Sequence, residues 1–210
     1  MRDLVIVGAS GFAREIHWII ERINHISRQW NFLGYIDMDT ASPDIIGNDL
    51  YIVNYDKELA VVVAIANPYV RRKLVELYKS NYRLSFPNLI DPSVLFSGDI
   101  TMGEGNIVCA RSILTVDIAL GNFNIINLDC TIGHGASVND YVTINPGVNI
   151  SGDVSLEEGV SIGTGAQILQ GQTIGKYAVI GAGAVVTKSV PKKCTAVGIP
   201  AKIVKTGDNV

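Results

Sequence analysis

From Ile90 onward every sixth residue is large and apolar: Phe96, Met102, Val108, Leu114, Leu120, Ile126, Ile132, Val138, Ile144, Ile150, Leu156, Ile162, Ile168, Ile174, Ile180 and Val186 follow with no residue inserted or lost. Glycine directly follows the periodic residue at 103, 121, 133, 163, 175 and 181, and four positions after it come mostly small or β-branched residues, among them Ser112, Cys130, Ala136, Val148 and Ala184. A strand alternation has a period of two and does not require six, and a helical heptad loses phase within two such repeats. The pattern fits hexapeptide repeats of a parallel β-helix, with three hexads, about eighteen residues, in each triangular coil. Each inward aliphatic then stacks on its equivalent one coil away at roughly 4.8 Å, so about five coils make a prism roughly 25 Å long.

The segment before Pro87 follows different rules. Leu4 to Val7 form a short β-branched run, Gly8-Ala9-Ser10-Gly11 a turn, and Ala13, Ile16, Ile19, Ile20 and Ile23 recur at helical spacing. That is strand, glycine turn and helix, with Ser10 placed as N-cap. Residues 31–37 predict a second strand ending at Asp37, Leu59 to Ala66 a third, and Tyr69 to Tyr82 a second helix. Together they describe a parallel α/β unit resembling half of a dinucleotide-binding fold, over residues 1–87, followed by the β-helix and a C-terminal tail over 88–210.

Composition narrows the function classes. With 48% hydrophobic and 18% charged residues the chain is that of a globular protein, and a formal net charge of −3 gives no reason to expect nucleic acid. No apolar run approaches the roughly 18 residues of a membrane span, and MRDLVIVGASG meets a glycine turn where a signal peptide needs a longer apolar core, so the expectation is a cytoplasmic protein without membrane insertion. Cys109, Cys130 and Cys194 are odd in number with no CxxC spacing, which argues against a disulfide framework and a zinc site and leaves them as packing residues. From Gly159 to Gly207 there is no Asp or Glu, whereas Lys176, Lys188, Lys192, Lys193, Lys202 and Lys205 all fall there. This is a solvated face or a site for something phosphorylated.

Several residues carry two readings. Gly8-Ala9-Ser10-Gly11 is an incomplete dinucleotide fingerprint: either a tight strand-to-helix turn, or a backbone that lets an anion or carbonyl approach a helix N-terminus. Asp37, at a strand end, is a turn residue or the acid that binds sugar or base hydrogen-bond donors. His17 and His25 have no metal-ligand partners in sequence, and the repeats hold only His134, so a zinc site built from several histidines is disfavoured. His134 follows the inward Ile132 at a corner of the coil, where a lone histidine is by itself a surface residue.

The segments GASGFAREI, GYID, AIANPYVRRKL, NLDCTIGHG and AVGIPAKIV, joined to uninterrupted hexads, resemble the NeuD/PglD-type family of sugar O- and N-acyltransferases. The resemblance implies a left-handed β-helix, a homotrimer with active sites between neighbouring prisms, acetyl-CoA along the groove as acyl donor, no metal, and a nucleotide sugar held by the N-terminal domain. Implied substrate contacts are Ser10, Gly11 and Phe12, where the family often has histidine, together with Asp37, Ala66, Asn67, Arg71 and Asn127. Implied cofactor contacts are Thr143, Thr164, Ala182, Gly183, Lys188 and Lys202. His134 matches the general base. The family often follows that histidine with a carboxylate, but here the position is Gly135. The column of residues eighteen apart through it reads Asp99, Asp117, Gly135, Asp153, Gly171, so Asp117 is the expected substitute and Asp153 the other candidate; ordinary corner aspartates explain both equally well. The implied activity is N-acetylation of a UDP-linked amino sugar in bacterial surface glycan biosynthesis. Sugar or sialic acid O-acetylation is the alternative enzyme reading, and a non-catalytic nucleotide-binding or scaffold protein is the alternative from another class.

Overall fold

A computed structural model describes residues 1–39 and 42–207 of the chain. Two compact units divide it, Met1–Pro92 and Ser93–Val210. In the first, β1 (Arg2–Val7), α1 (Gly11–Ile26), β2 (Trp30–Ile36), β3 (Ile45–Gly47), α2 (Asp49–Val53), β4 (Leu59–Val63), α3 (Pro68–Tyr78) and β5 (Leu84–Ser85) follow one another. The five strands form one parallel sheet in the order β3-β2-β1-β4-β5. Its centre is buried on both faces: Leu4, Val5 and Ile6 and all of β4 are covered, as the unbroken apolar runs of a doubly wound sheet require. α1 packs through Ala13, Ile16, Ile19 and Ile20, the stripe that the 3.6-residue spacing predicts.

Three of these elements, β3, α2 and β5, are too short to carry a hydrophobic period. α3 is also shorter than expected. Asn67 starts it by accepting the N–H groups of Tyr69 and Val70. It stops before Tyr82 because Asn81 leaves the helix to donate to the carbonyls of Ile52 and Tyr55 at 3.2 and 2.9 Å.

The second unit is a parallel β-helix. One sheet stacks Leu95–Phe96, Ile113–Leu114, Thr131–Ile132, Asn149–Ile150, Gln167–Ile168 and Val185–Val186. A second stacks Thr101–Met102, Ala119–Leu120, Ser137–Val138, Ser155–Leu156 and Thr173–Ile174. A third runs from Ile107–Val108 through Ile125–Ile126, Thr143–Ile144, Ser161–Ile162 and Val179–Ile180 to Thr195–Val197, where Lys202–Lys205 adds an antiparallel strand. Partners such as Ile113, Thr131, Asn149 and Gln167 are eighteen apart at each step. The periodic residues from Val108 to Val186 are all buried, as is the second inward column of Ser112, Cys130, Ala136, Val142, Val148 and their successors except Gln172, which is half-buried. The expected inward position fails only in the first rung, where Phe96 is exposed and Met102 half-buried.

Corners close through residues in the left-handed region. The column Asp117, Gly135, Asp153, Gly171 has φ of 56°, 67°, 57° and 71°. Glycine enters that region freely, and Asp and Asn do so more readily than other residues. Corner geometry therefore admits both Asp and Gly at every level of this column. None of the three cysteines forms a disulfide and all are buried; Cys130 donates its thiol to the Asn145 carbonyl at 3.2 Å, and burial pushes its pKa up to about 11. Removing one inward side chain opens a void that neighbouring rungs cannot fill. Ile150→Ala, between Ile132 and Ile168, is expected to cost about 2–5 kcal/mol in urea unfolding, with the midpoint falling.

Candidate active site

The strand order of the first unit reverses between β1 and β4, and loops at the carboxyl ends of such strands form the crevice of a doubly wound sheet. Gly8 (φ 97°) lies so close to the β4 loop that a Cβ on it would sit 3.0 Å from Ile65 Cδ1 and 3.2 Å from the Ala64 carbonyl oxygen. Gly11 is different: its φ is ordinary and a Cβ would meet nothing nearer than the Arg14 guanidinium at 3.9 Å. The turn thus needs Gly8 for its own packing, whereas Gly11 leaves open space at the start of α1. Ser10 occupies the N-cap position, yet its hydroxyl makes no capping bond.

Asp37, at the end of β2, bonds the turn just before that N-cap. Its Oδ2 accepts the Ala9 N–H at 3.0 Å and its Oδ1 the Met38 N–H at 2.7 Å, tying the glycine turn to the neighbouring strand. A cleft of about 660 Å³ opens beside them, lined by Ala9, Ser10, Arg14, Tyr35, Asp37 and Asp44. Phe12 is half-buried, and Ala66 and Asn67 are exposed on the β4–α3 loop. Asn67 spends its side-chain oxygen on the cap of α3.

Arg71 requires a correction. Expected as a polar contact for a ligand, it is 1% exposed and donates to the carbonyls of Ile65 at 2.6 Å and Ala66 at 3.0 Å. A buried guanidinium must be satisfied, and the carbonyls that turn outward after β4 satisfy it, so Arg71 builds the loop from beneath. His17 packs in the same unit against Phe32, with ring centroids 4.0 Å apart, and His25 is exposed in the last turn of α1.

In the second unit His134 stands at the corner between strands Thr131–Ile132 and Ser137–Val138, with its side chain 57% exposed. Its imidazole leans towards the following rung and covers Gly152: a Cβ on Gly152 would land on the ring at Cε1 and Nε2. That tilt decides which carboxylate it meets. Asp153 Oδ1 lies 3.9 Å from His134 Nδ1, within ion-pair range though longer than a hydrogen bond. Asp117, the expected partner, belongs to the preceding rung, on the side from which the ring turns away. The carboxylate beside His134 is therefore Asp153. Its other oxygen accepts from Gln170 Nε2 at 3.1 Å. Gly152 and Gln170 were not anticipated; the column eighteen apart through His134 itself reads Val116, His134, Gly152, Gln170, and a glycine directly above a histidine was the available signal.

Asn127, half-buried, accepts the Leu128 N–H at 2.8 Å. Thr143 is a second correction: at 3% exposure, next to Ile125 in its sheet, its hydroxyl does not face solvent in the chain. Thr164, Ala182 and Gly183 are exposed at one stacked corner, where the Gly183 N–H donates to the Thr164 carbonyl at 2.8 Å and a Cβ on Gly183 would meet nothing within 4 Å. The closing segment folds over that corner, the Val185 N–H donating to the Gly198 carbonyl and the Ala201 N–H to that of Val185. Lys202 follows directly and is exposed; Lys188 is exposed in the loop after Val186. The Thr164–Gly183 corner and the His134 corner are different edges of the prism, so one chain does not bring these two groups together. Among the described residues no cluster of three or more His, Cys, Asp or Glu is placed to hold a metal ion.

Residues 3–78 match the PglD N-terminal domain, and residues 153–188 match the bacterial transferase hexapeptide repeats. WeeI from Acinetobacter baumannii is 33% identical with a TM-score of 0.86, covering 97% of this chain and 100% of its own. The chain belongs to the NeuD/PglD-type sugar acyltransferase family. Two further structures align with this family member over nearly the full length. Perosamine N-acetyltransferase from Caulobacter crescentus, a variant in complex with CoA and GDP-perosamine, is 26% identical with a TM-score of 0.90 and covers 98% of both chains. The acetyltransferase domain of PglB from Neisseria gonorrhoeae, in complex with acetyl coenzyme A, is 27% identical with a TM-score of 0.88 and covers 97% of this chain and 99% of its own. A search of curated protein sequences gives no match. The prism is thus the left-handed β-helix of hexapeptide transferases, and no helix among the described residues is long and apolar enough to cross a membrane.

Proposed function

We propose that this chain transfers an acetyl group from acetyl-CoA to the amino group of a nucleotide-linked amino sugar, with UDP as the nucleotide, in the assembly of a bacterial surface glycan. The observation that carries this is the full-length likeness to perosamine N-acetyltransferase, whose complex holds CoA together with a nucleotide-linked sugar. The working form is a cytoplasmic homotrimer, because the His134 edge and the Thr164–Gly183 edge of one prism are separate and a neighbouring copy is needed to oppose them. Residues 1–87 serve as the nucleotide-sugar domain and 88–210 as the acyltransferase domain.

The cofactor fits the second edge. The open space beside Gly183, the small Ala182 and the exposed Lys202 suit a pantetheine chain lying against backbone with phosphates near ammonium groups, and Lys188, one coil past Gln170, brings its charge from the His134 edge instead. Acetyl-CoA supplies the activated acetyl group when bound. His134 removes a proton from the sugar amine as its nitrogen attacks, and Asn127 orients the sugar. In the first unit the start of α1, at Ser10, Gly11 and Phe12, receives the nucleotide, and Asp37 holds that turn in place through the Ala9 N–H.

Thiol release from acetyl-CoA, measured with UDP- and GDP-linked amino sugars in turn and followed by mass spectrometry of the product, tests the assignment. One acetyl group gained on the amine of the UDP-linked sugar is expected. A preference for GDP would change the nucleotide, and no acceleration by any nucleotide-linked amino sugar would end the proposal. Asp37→Ala removes the latch on the turn, and about a tenfold rise in acceptor KM with kcat and the acetyl-CoA KM little changed is expected, the cost of about one charge-assisted hydrogen bond.

A further inference from the structure

The space that a side chain on residue 135 would fill is taken by another rung. A Cβ on Gly135 would land on Asp153 Oδ1, the atom that lies 3.9 Å from His134 Nδ1. The backbone does not demand glycine there: Asp117 and Asp153, its neighbours in the column, hold the same left-handed conformation at φ 56° and 57° as aspartates. What excludes a side chain at 135 is the carboxylate arriving from above. That carboxylate is fixed from both ends. The Asp153 N–H donates to the His134 carbonyl at 2.8 Å, and Gln170, one rung further on, donates to its Oδ2.

We propose that Asp153 is the positioning residue for His134, delivered from the following rung into the place left by Gly135 and held there by Gln170. His134, Asp153 and Gln170 then climb three successive rungs as a polar relay along one edge of the prism. With Asp153 facing Nδ1, the imidazole keeps its proton on that nitrogen and presents Nε2 to the acceptor amine, and the carboxylate stabilises the imidazolium formed when the amine gives up its proton. Catalytic contacts of this kind commonly tighten when substrate binds, and 3.9 Å is within reach of such a change. This inference rests on His134 being the general base.

The exchange of Asp153 and Gly135 tests it. Asp153→Asn keeps the shape, the left-handed corner and the Gln170 contact but removes the charge; kcat is expected to fall at least tenfold, with both KM values within about twofold and an unchanged melting temperature. Gly135→Asp alone crowds two carboxylates into one place and is expected to be impaired. Gly135→Asp combined with Asp153→Gly moves the charge to the other rung and is expected to recover kcat to within a few-fold of wild type. Wild-type kcat in Asp153→Asn overturns the assignment, as does a folded double variant no faster than Asp153→Gly. A fully active His134→Asn enzyme would instead overturn the base itself, so the two failures are distinguishable.

Discussion

His134→Ala is expected to lower kcat about 10²- to 10⁴-fold, the contribution of a positioned general base, while leaving acetyl-CoA binding and the size of the assembly intact. The reason is local. His134 is exposed at a corner, so its removal opens no cavity in the column that runs from Val108 to Val186. What disappears, on the mechanism proposed above, is the acceptor for the amine proton. Loss confined to kcat marks a group used in the chemical step, whereas a rise in KM at constant kcat would mark a binding role. Stopped assays of free thiol at saturating acceptor, with size-exclusion chromatography of the same preparation, make that distinction. An alanine variant as fast as wild type would remove His134 from the mechanism.

The second large effect comes from a residue with no functional group. Gly152→Ala places a methyl where the imidazole rests, and because the atoms it meets belong to the end of a movable side chain, the ring is displaced and the backbone is not. A misplacement of about 1 Å at a reacting group costs on the order of a hundredfold in rate, so kcat is expected to fall by about that factor with little change in melting temperature. Gly133→Ala provides the contrast. There a Cβ would stand 2.7 Å from Gly152 N and 2.8 Å from Ser151 C, both backbone, so the rungs themselves must part and the melting temperature should fall. Equal thermal losses in the two variants would refute the view that Gly152 exists to seat the histidine.

How much of this was legible in the sequence depends on the scale of the signal. The prism was readable because its period persists for seventeen positions and every rung obeys the same inward rule from Val108 onward. Only the first rung escaped it. The α/β unit was readable in its long elements, α1 and the central strands, but β3 has three residues and β5 two, too few to carry a period. For the site, sequence spacing placed Asp117 and Asp153 in one column with His134's neighbour but had no means of telling which way the ring tilts. That direction is set by Gly152, whose missing side chain opens one side only. Arg71 and Thr143 were misjudged because charge and hydroxyl suggest a ligand contact, while their burial depends on packing partners distant in sequence.

The corner glycines have a consequence beyond the active site. Inward columns of Ile and Val look alike from rung to rung, so the core alone barely distinguishes a correct stack from one displaced by a whole coil. The corners do distinguish them. The Phe123 ring overlies Gly105, Tyr177 overlies Gly159, His134 overlies Gly152 and Asp153 fills the place beside Gly135. Each of these projections rests on a level without a side chain, and most whole-coil displacements would press ring or carboxylate against a side chain instead. The edges of the prism thus act as keys cut differently for each level, giving a repetitive chain a single address for every turn it winds.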